Sequence, residues 1–212
     1  MHSMTDVRLI NQQLDHTQIK TPNALVGWLG AVQSQEYAGA KWSLAMRLQG
    51  VSDAELDQAF AEGSILRTHI MRPTWHFVTP QDIRWMLELT APHVQALSQY
   101  MYRQLELDDA LLNRGSEAIA QALQGGRQLT RAELAKVLEK VGIVAQGMRL
   151  GYIAYYAELQ GMICSGGRRG KQFTYALLEE RAPQAIRLGR DEALAELTKR
   201  YFTSHGLATG HD

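Results

Sequence analysis

Residues 162–177 read MICSGGRRGKQFTYAL, and the predicted fold follows from this stretch and the helices before it. Its two ends, 162–164 and 172–177, are rich in the β-branched, aromatic and other apolar residues that are typical of strands. The glycine-rich segment 165–170 between them predicts a turn, so the stretch is a β-hairpin. Apolar residues at helical spacing predict two helices directly before it. These helices are predicted over 131–141 and about 146–159.

The same order of elements is predicted once more, earlier in the chain. Thr21 and Ser52 each supply a capping oxygen at the start of an amphipathic helix. The segments 65–71 and 74–78 then predict a second β-hairpin. Two helices leading into a hairpin form the winged-helix arrangement, a helix-turn-helix variant in which the hairpin is the wing. The predicted fold class is therefore mainly α with small β-hairpins (α+β), organised as tandem winged-helix modules.

More helices are predicted between and after these modules. One begins after the cap Thr79 and ends near residue 89, and the next begins at Pro92. We expect the chain to end where a third module would begin, because little sequence follows the helix predicted over 191–203. The other predicted helices cover 92–105 and 108–123. The expected domains are 1–106, 107–183 and 184–212.

The composition limits the class of protein, but it does not identify a binding partner. Lys and Arg number 22 and Asp and Glu number 22, so bulk charge gives no argument for a polyanionic partner, although a basic face remains possible. A single cysteine, Cys164, excludes an internal disulfide and a cysteine metal cluster, and we expect it to be buried and structural. No run of about 18 apolar residues and no signal-like N-terminus occur, so we expect a cytoplasmic protein.

Residues 29–37, LGAVQSQEY, with 40–44, AKWSL, close behind, resemble the AlkZ/YcaQ-like family of winged-helix DNA glycosylases. Segments 67–76, 84–92 and 161–175 are similar to family sequence as well, so the resemblance covers nearly the whole chain. It implies tandem winged helices arranged around a DNA duplex. It also implies a further winged helix and a β-rich C-terminal part that these 212 residues lack.

The resemblance implies that Gln33 and Gln35 are the catalytic pair, in the Gln-x-Gln form of the family motif. A purine alkylated at N7 or N3 is already cationic, so it can leave without being protonated. The remaining task is to position a water below C1′ and to stabilise an oxocarbenium, which amide oxygens or the nearby Glu36 could do. The alternative is that either amide only caps backbone groups at a helix end. We predict a monofunctional glycosylase for alkylated purines or crosslinked bases, monomeric on double-stranded DNA and without a cofactor.

The second wing carries the strongest basic candidates for DNA contact. Arg168, Arg169 and Lys171 are predicted at its glycine-rich tip, where they could reach phosphates or a groove. The alternative is a solvated loop whose charges maintain solubility. Arg149, on the preceding helix, is expected near this tip. Trp42 follows the glutamine pair closely enough to line the same pocket.

The first hairpin carries the remaining candidates. If it turns symmetrically at residues 72–73, His69 lies opposite His76 and Ile70 opposite Trp75. Two histidines without a third ligand favour hydrogen-bonding or DNA-facing roles, so no metal site is predicted. Arg72 and His76 are therefore assigned to DNA. The aromatic residues Tyr152, Tyr155 and Tyr156 are predicted to be core.

Two other functions compete with the enzyme. A noncatalytic DNA-binding module, such as a transcription regulator, would place a recognition helix in the major groove. The helix over 146–159 is dominated by apolar and aromatic residues, which argues against base reading. A protein-interaction scaffold without DNA affinity is compatible with the zero net charge.

Overall fold

The computed structural model describes residues 3–206, which form ten helices and six strands. The helices are α1 (Met4–Asn11), α2 (Pro22–Leu29), α3 (Tyr37–Ala45), α4 (Asp53–Glu62), α5 (Ile83–Gln104), α6 (Asp109–Leu123), α7 (Arg131–Lys140), α8 (Gly147–Leu159), α9 (Leu178–Arg181) and α10 (Arg190–His205). The strands are β1 (Val32–Gln33), β2 (Leu66–His69), β3 (Trp75–Val78), β4 (Leu129–Thr130), β5 (Ile163–Arg169) and β6 (Gln172–Leu177). Within residues 3–206, no helix is long and apolar enough to cross a bilayer.

Two modules share one topology. In the first module the order is α2-β1-α3-α4-β2-β3, and in the second it is α6-β4-α7-α8-β5-β6. Each forms a three-stranded antiparallel sheet, with strand orders β1-β3-β2 and β4-β6-β5. This is the winged-helix arrangement, so the predicted fold class is confirmed. The sequence did not predict β1 and β4, which have only two residues each.

Capping residues explain where most helices begin. Thr21 caps α2 and Ser52 caps α4, both as predicted, and Ser52 and Thr130 form capping boxes with Glu55 and Glu133. The helix start predicted at the cap Thr79 is three residues too early, because Asp82 is the N-cap of α5. Its hydroxyl accepts a hydrogen bond from the Asp82 backbone N–H in a turn, and α5 begins only at Ile83.

A continuous α5 corrects the prediction that a new helix begins at Pro92. The helix runs through Pro92, which is exposed. Proline cannot donate to the carbonyl four residues earlier, but the helix buries Trp85 and Met86 before Pro92 and Val94 after it, all fully. Burial of one face on both sides of the proline therefore outweighs the missing hydrogen bond.

The two modules are joined through their sheets. The backbone N–H of Arg67 in β2 donates to the hydroxyl of Ser165 in β5 at 2.7 Å. Phe173 from β6 packs into the hydrophobic core of the first module. Cys164 is fully buried between the modules, and burial raises the pKa of its thiol to about 12, so it is structural, as expected.

A buried ion pair attaches α10 to the start of α5. Asp82 is 4% exposed, and its carboxylate accepts hydrogen bonds from Arg200, Thr79 and the indole of Trp85, at 2.6, 2.6 and 2.9 Å. Burial alone raises the pKa of Asp82, but these hydrogen bonds outweigh it and hold the pKa below its usual range. The carboxylate therefore contributes stability that is present above the unfolded pKa of about 3.9 and is lost as pH falls through the folded value.

Asp82→Asn is expected to lower the free energy of unfolding by about 3 kcal/mol at pH 7, because it removes the buried counter-charge of Arg200 and leaves only the more exposed Glu196. Urea unfolding measures the loss. The difference in the free energy of unfolding between the variant and wild type should narrow as the pH falls below about 4, because the unfolded carboxylate is then protonated before the native one. Glu196→Gln removes the other, more exposed partner of Arg200 and should cost less than about 1 kcal/mol. If the difference in the free energy of unfolding between Asp82→Asn and wild type stays constant with pH, a role for the Asp82 charge is contradicted.

The second wing differs from the prediction at its tip. Strand β5 continues through Arg169, so only Gly170 and Lys171 remain between the strands, and not the whole segment 165–170. The ladder is irregular between Ser165 and Arg168, and Gly166 lies within this bulge. A Cβ at Gly166 would lie 2.5 Å from Oγ1 of Thr174. Gly166 and Gly167 therefore permit close packing inside the sheet, and only Gly170 lies at the tip.

Gly166→Ala is expected to destabilise the protein by about 2 kcal/mol, because the added methyl group has no space beside Thr174 and Gln128. Urea titration measures the change in the free energy of unfolding, and thermal unfolding checks its direction. Gly39→Ala is the matched control, since Gly39 is exposed on α3 and its added Cβ meets nothing closer than 3.8 Å. The control should be neutral or stabilising by up to about 1 kcal/mol. Equal stability of the two variants would contradict tight packing at the bulge.

The register of the first hairpin is shifted by one residue from the prediction. His69 pairs with Trp75 and Thr68 pairs with His76, so the two histidines lie on opposite faces of the sheet. Residues 70–74 form the loop, which is longer than the symmetric turn assumed from the sequence. Within it Met71 has a positive φ of 62°, which a two-residue turn at 72–73 does not anticipate.

Candidate active site

The Gln-Ser-Gln segment is extended and lies at the edge of the first sheet, and not at a helix end as the alternative interpretation assumed. Gln33 in β1 lies opposite His76, and the Ser34 backbone N–H donates to the Trp75 carbonyl at 2.7 Å. Side chains alternate along an extended segment. Ser34 is fully buried, whereas Gln33 and Gln35 on either side of it are exposed. The fold therefore presents both amides on one face.

A buried arginine fixes this segment from behind. The guanidinium of Arg67 donates to the Ser34 carbonyl from Nε at 3.1 Å and from Nη2 at 2.9 Å. It also reaches the Ser34 hydroxyl at 3.3 Å and the Gln35 carbonyl at 3.4 Å. The forked geometry of arginine suits such multiple contacts. Arg67 therefore holds the backbone that carries both glutamines.

Aromatic rings enclose this guanidinium on the other side. Arg67 lies 4.3 Å from the ring centre of Trp75 and 4.5 Å from that of Phe173, and only 5% of the residue is exposed. Burial lowers its pKa to about 10, which still leaves it charged at neutral pH. No role for Arg67 is predicted from the sequence, because a strand that mixes apolar and polar residues, Leu66–His69, carries no local signal for one.

Each glutamine amide is oriented by one donor. The carbonyl oxygen of Gln35 accepts the Trp75 backbone N–H at 3.2 Å, and that of Gln33 accepts Nη2 of Arg72 at 3.3 Å. A carbonyl oxygen can accept two hydrogen bonds, so each retains capacity for a water. The arrangement can hold a water and place two negative dipole ends near a developing cation.

A cleft of about 670 Å³ opens between the modules beside Gln35. Gln35 and Trp75 line it from the first module, and Phe173 and Tyr175 line it from the second. Two exposed cations, Arg131 at the start of α7 and Lys171 in the wing turn, are also part of its wall. The cleft thus combines an amide, aromatic faces and positive charge.

A second cavity of about 270 Å³ adjoins this cleft and shares Trp75, Arg131 and Tyr175 with it. Glu158 of α8 lines it and is fully buried, with Oε2 lying 2.7 Å from Nδ1 of His69. The sequence analysis missed Glu158, which occupies a helix position that is otherwise typical of core. Within residues 3–206, no cluster of three or more metal-ligating side chains occurs.

Residues 26–212 match the sequence model of the AlkZ-like DNA glycosylases. The chain belongs to this family. A curated AlkZ-like relative, the interstrand DNA cross-link repair glycosylase of Streptomyces sahachiroi, is 26% identical over 209 residues, which cover 95% of this chain and 56% of the relative. The solved structure of Streptomyces sahachiroi DNA glycosylase AlkZ superposes with a TM-score of 0.80 at 26% identity, covering 96% of this chain and 56% of that one. The chain therefore spans about half the length of these relatives.

The three cations that the sequence predicts at the tip of the second wing differ in their surroundings. Arg168 is partly buried, with its guanidinium 5.0 Å from the ring centre of Tyr37. Arg169 donates to Glu133 at 2.8 Å and to the Gln128 carbonyl at 2.8 Å. Lys171 is exposed in the cleft wall. Two of the three cations therefore make contacts within the protein, and Lys171 is the one directed to the cleft.

The other DNA-contact candidates are dispersed. Arg72 contacts Gln33, but Arg149 donates to the Leu105 carbonyl after α5 and not near the wing tip as expected. Assignment of His76 to DNA is corrected, because the residue is 4% exposed and Nδ1 lies 2.9 Å from the Thr74 carbonyl oxygen. Burial lowers the pKa of His76, which favours its neutral form. Trp42 is 70% exposed on α3 and is not part of the cleft wall, so its role in DNA contact stays a prediction.

Proposed function

We propose that this chain forms the catalytic cleft of a monofunctional DNA glycosylase that hydrolyses the N-glycosidic bond of alkylated purines, including crosslinked bases. The observation that carries the proposal is the position of Gln35, whose amide is held by Trp75 on the cleft wall while Arg67 fixes its backbone. Membership of the AlkZ-like family and the cross-link repair activity in the relative's name support the same reaction.

The proposed reaction needs no protonation of the leaving base. Water attacks C1′ of the deoxyribose, the C1′–N bond breaks, and its electron pair neutralises the cationic purine. The attacking water loses its proton to solvent. Gln33 and Gln35 act by positioning the water and by directing carbonyl dipoles toward the oxocarbenium, since an amide cannot act as a conventional general base.

Double-stranded DNA is the proposed partner, bound by a monomer in the cytoplasm or on the nucleoid. Arg131 and Lys171 line the cleft, and Arg72 adjoins Gln33. These three exposed cations are proposed phosphate contacts beside the glutamine pair. Such contacts need no net positive charge in the whole protein, which agrees with the balanced composition.

A transcription regulator that reads the major groove is disfavoured by both third helices of the modules. Helix α4 has the sequence DAELDQAFAE, with four acidic and no basic residues, so DNA phosphates would repel it. Helix α8 is packed against α5, α6 and β2, and seven of its residues are buried. Helix α4 therefore lacks the cations that phosphate contact requires, and helix α8 lacks an exposed polar face for base reading.

The proposed function is tested by measuring the release of 7-methylguanine from methylated duplex DNA by the 212-residue chain under single-turnover conditions. We expect release above the spontaneous rate, and no release of unmodified guanine from the same DNA. A heat-denatured sample is the control for non-enzymatic loss. If the folded chain binds the duplex and yet releases methylated base only at the spontaneous rate, the catalytic assignment fails for this chain.

A further inference from the structure

The small cavity beside the cleft is lined by Glu158, whose carboxylate has one oxygen without a partner among residues 3–206. Oε2 of Glu158 lies 2.7 Å from Nδ1 of His69 and accepts from the Thr68 hydroxyl at 3.4 Å. Oε1 is buried and makes no hydrogen bond to any residue within 3–206. An unsatisfied buried acceptor is costly, and more so on a carboxylate. A ligand with an N–H group would satisfy it.

Aromatic side chains make up much of the remaining wall. Trp75, Tyr152, Tyr155 and Tyr175 all line the cavity, and the His69 ring lies 3.9 Å from that of Trp75. Rings of this kind stack on flat heteroaromatic groups and attract cations to their faces. The one arginine in the wall, Arg131, donates to the Gly147 carbonyl and borders the larger cleft as well.

The cavity adjoins the site of the proposed chemistry. Trp75 lines both spaces, and its backbone N–H donates to the Gln35 amide. The volume of the cavity, about 270 Å³, is close to the lower limit of about 300 Å³ that is typical of small-molecule pockets. One nucleobase is therefore a better match than a nucleotide.

We propose that this cavity binds a purine base that carries a positive charge, with an N–H group of the base donating to Oε1 of Glu158 and the aromatic rings surrounding it. The source of the base, an alkylated nucleotide displaced from the duplex beside Gln35, rests on the proposed glycosylase function. Positive charge distinguishes a damaged purine from an undamaged one, so the cavity provides selectivity for the lesion.

Calorimetric titration of the 212-residue chain with two free purines tests the proposal. The probes are the 7,9-dimethylguaninium cation and the neutral 9-methylguanine, which have the same ring and differ by one methyl group and one charge. We expect the cation to bind at least about tenfold more tightly. Glu158→Gln should weaken binding of the cation about tenfold and leave that of 9-methylguanine within about twofold.

Two further variants keep the test decisive. Glu117→Gln removes an exposed carboxylate from α6 and should bind both purines as wild type does. If Glu158→Gln loses its native circular dichroism, Tyr152→Leu, which removes one ring from the wall, should weaken binding of the cation instead. Equal affinity for the two purines, no binding of either, or full affinity for the cation in a folded Glu158→Gln variant would overturn the proposal.

The outcome of this binding test is independent of the outcome of the glycosylase test. Neither free purine contains a glycosidic bond, so binding is measured without hydrolysis or DNA. Selective binding of the cation without base release would leave the cavity assigned and the catalytic proposal rejected. Base release without preference for the cation would reject only the cavity.

Discussion

The double variant Gln33→Ala with Gln35→Ala is expected to release 7-methylguanine about 10³-fold more slowly than wild type under single-turnover conditions. Both amides lie on the same face of the extended segment, where their carbonyl dipoles can act on one water and one cation. Each single variant should lose about 10²-fold, and the two losses should not simply multiply, because both groups serve the same transition state.

Matched measurements separate catalysis from folding and from DNA binding. Both glutamines are exposed, so their truncation should leave the unfolding temperature nearly unchanged. Affinity for the methylated duplex should stay within about threefold, because phosphate contacts dominate it. Gln99→Ala, an exposed glutamine of α5, should retain full activity. A double variant that cleaves at the wild-type rate would remove the amides from the mechanism.

Helix starts could be predicted because their causes are local. Ser52 and Thr130 each act on a backbone N–H three residues ahead, and the glutamate at that position acts back on the cap. All of this information lies within four consecutive residues. The strands β1 and β4 were missed because two residues carry no periodic pattern, and each becomes a strand only by pairing with a hairpin strand more than 40 residues away.

The candidate site could be predicted only in part, because some of its contacts join segments that are far apart in the sequence. Gln33 and Gln35 were found because the sequence around them resembles that of a family. Arg67 and Glu158 depend on contacts between distant segments, with 33 residues separating Arg67 from Ser34 and 89 separating Glu158 from His69. No local pattern distinguishes a buried arginine that holds a loop from one that is solvated.

The hairpin register shows how one local error changes a functional assignment. A symmetric turn placed His69 and His76 on one face, which suggested a shared role. The actual loop shifts the pairing by one residue, so His69 meets Glu158 at the cavity and His76 is buried behind Gln33. Side-chain direction alternates with every residue of a strand, so a single shift exchanges the two faces.

Joining the two modules through their sheets also explains why the second module does not present a free recognition helix. Contacts between β2 and β5, with the hydrogen bond from Arg67 to Ser165, bring the hairpins together. Helix α8, the recognition helix of a conventional module, is thereby covered by α5 and β2. The cleft between the modules is then the surface that combines an oriented amide with cations.

Arg67→Met is expected to lower the single-turnover rate of base release by about 10²-fold while DNA affinity stays within about threefold. Methionine fills similar space between Trp75 and Phe173 but cannot donate to the Ser34 carbonyl. Release of that contact lets the glutamine segment shift, and displacement by about 1 Å is enough for a loss of this size. Because Arg67 is only 5% exposed, direct contact with DNA phosphates cannot account for the effect.

Arg67→Lys separates positioning of the segment from stability of the fold. Lysine keeps the charge but cannot form the forked contact, so it should recover part of the rate, by about tenfold over methionine. Arg103→Met, which removes an exposed cation of α5, should retain the wild-type rate. Rates are normalised to the folded fraction measured by circular dichroism. If Arg67→Met loses stability but its folded fraction cleaves at the wild-type rate, Arg67 only stabilises the fold and does not position the glutamines.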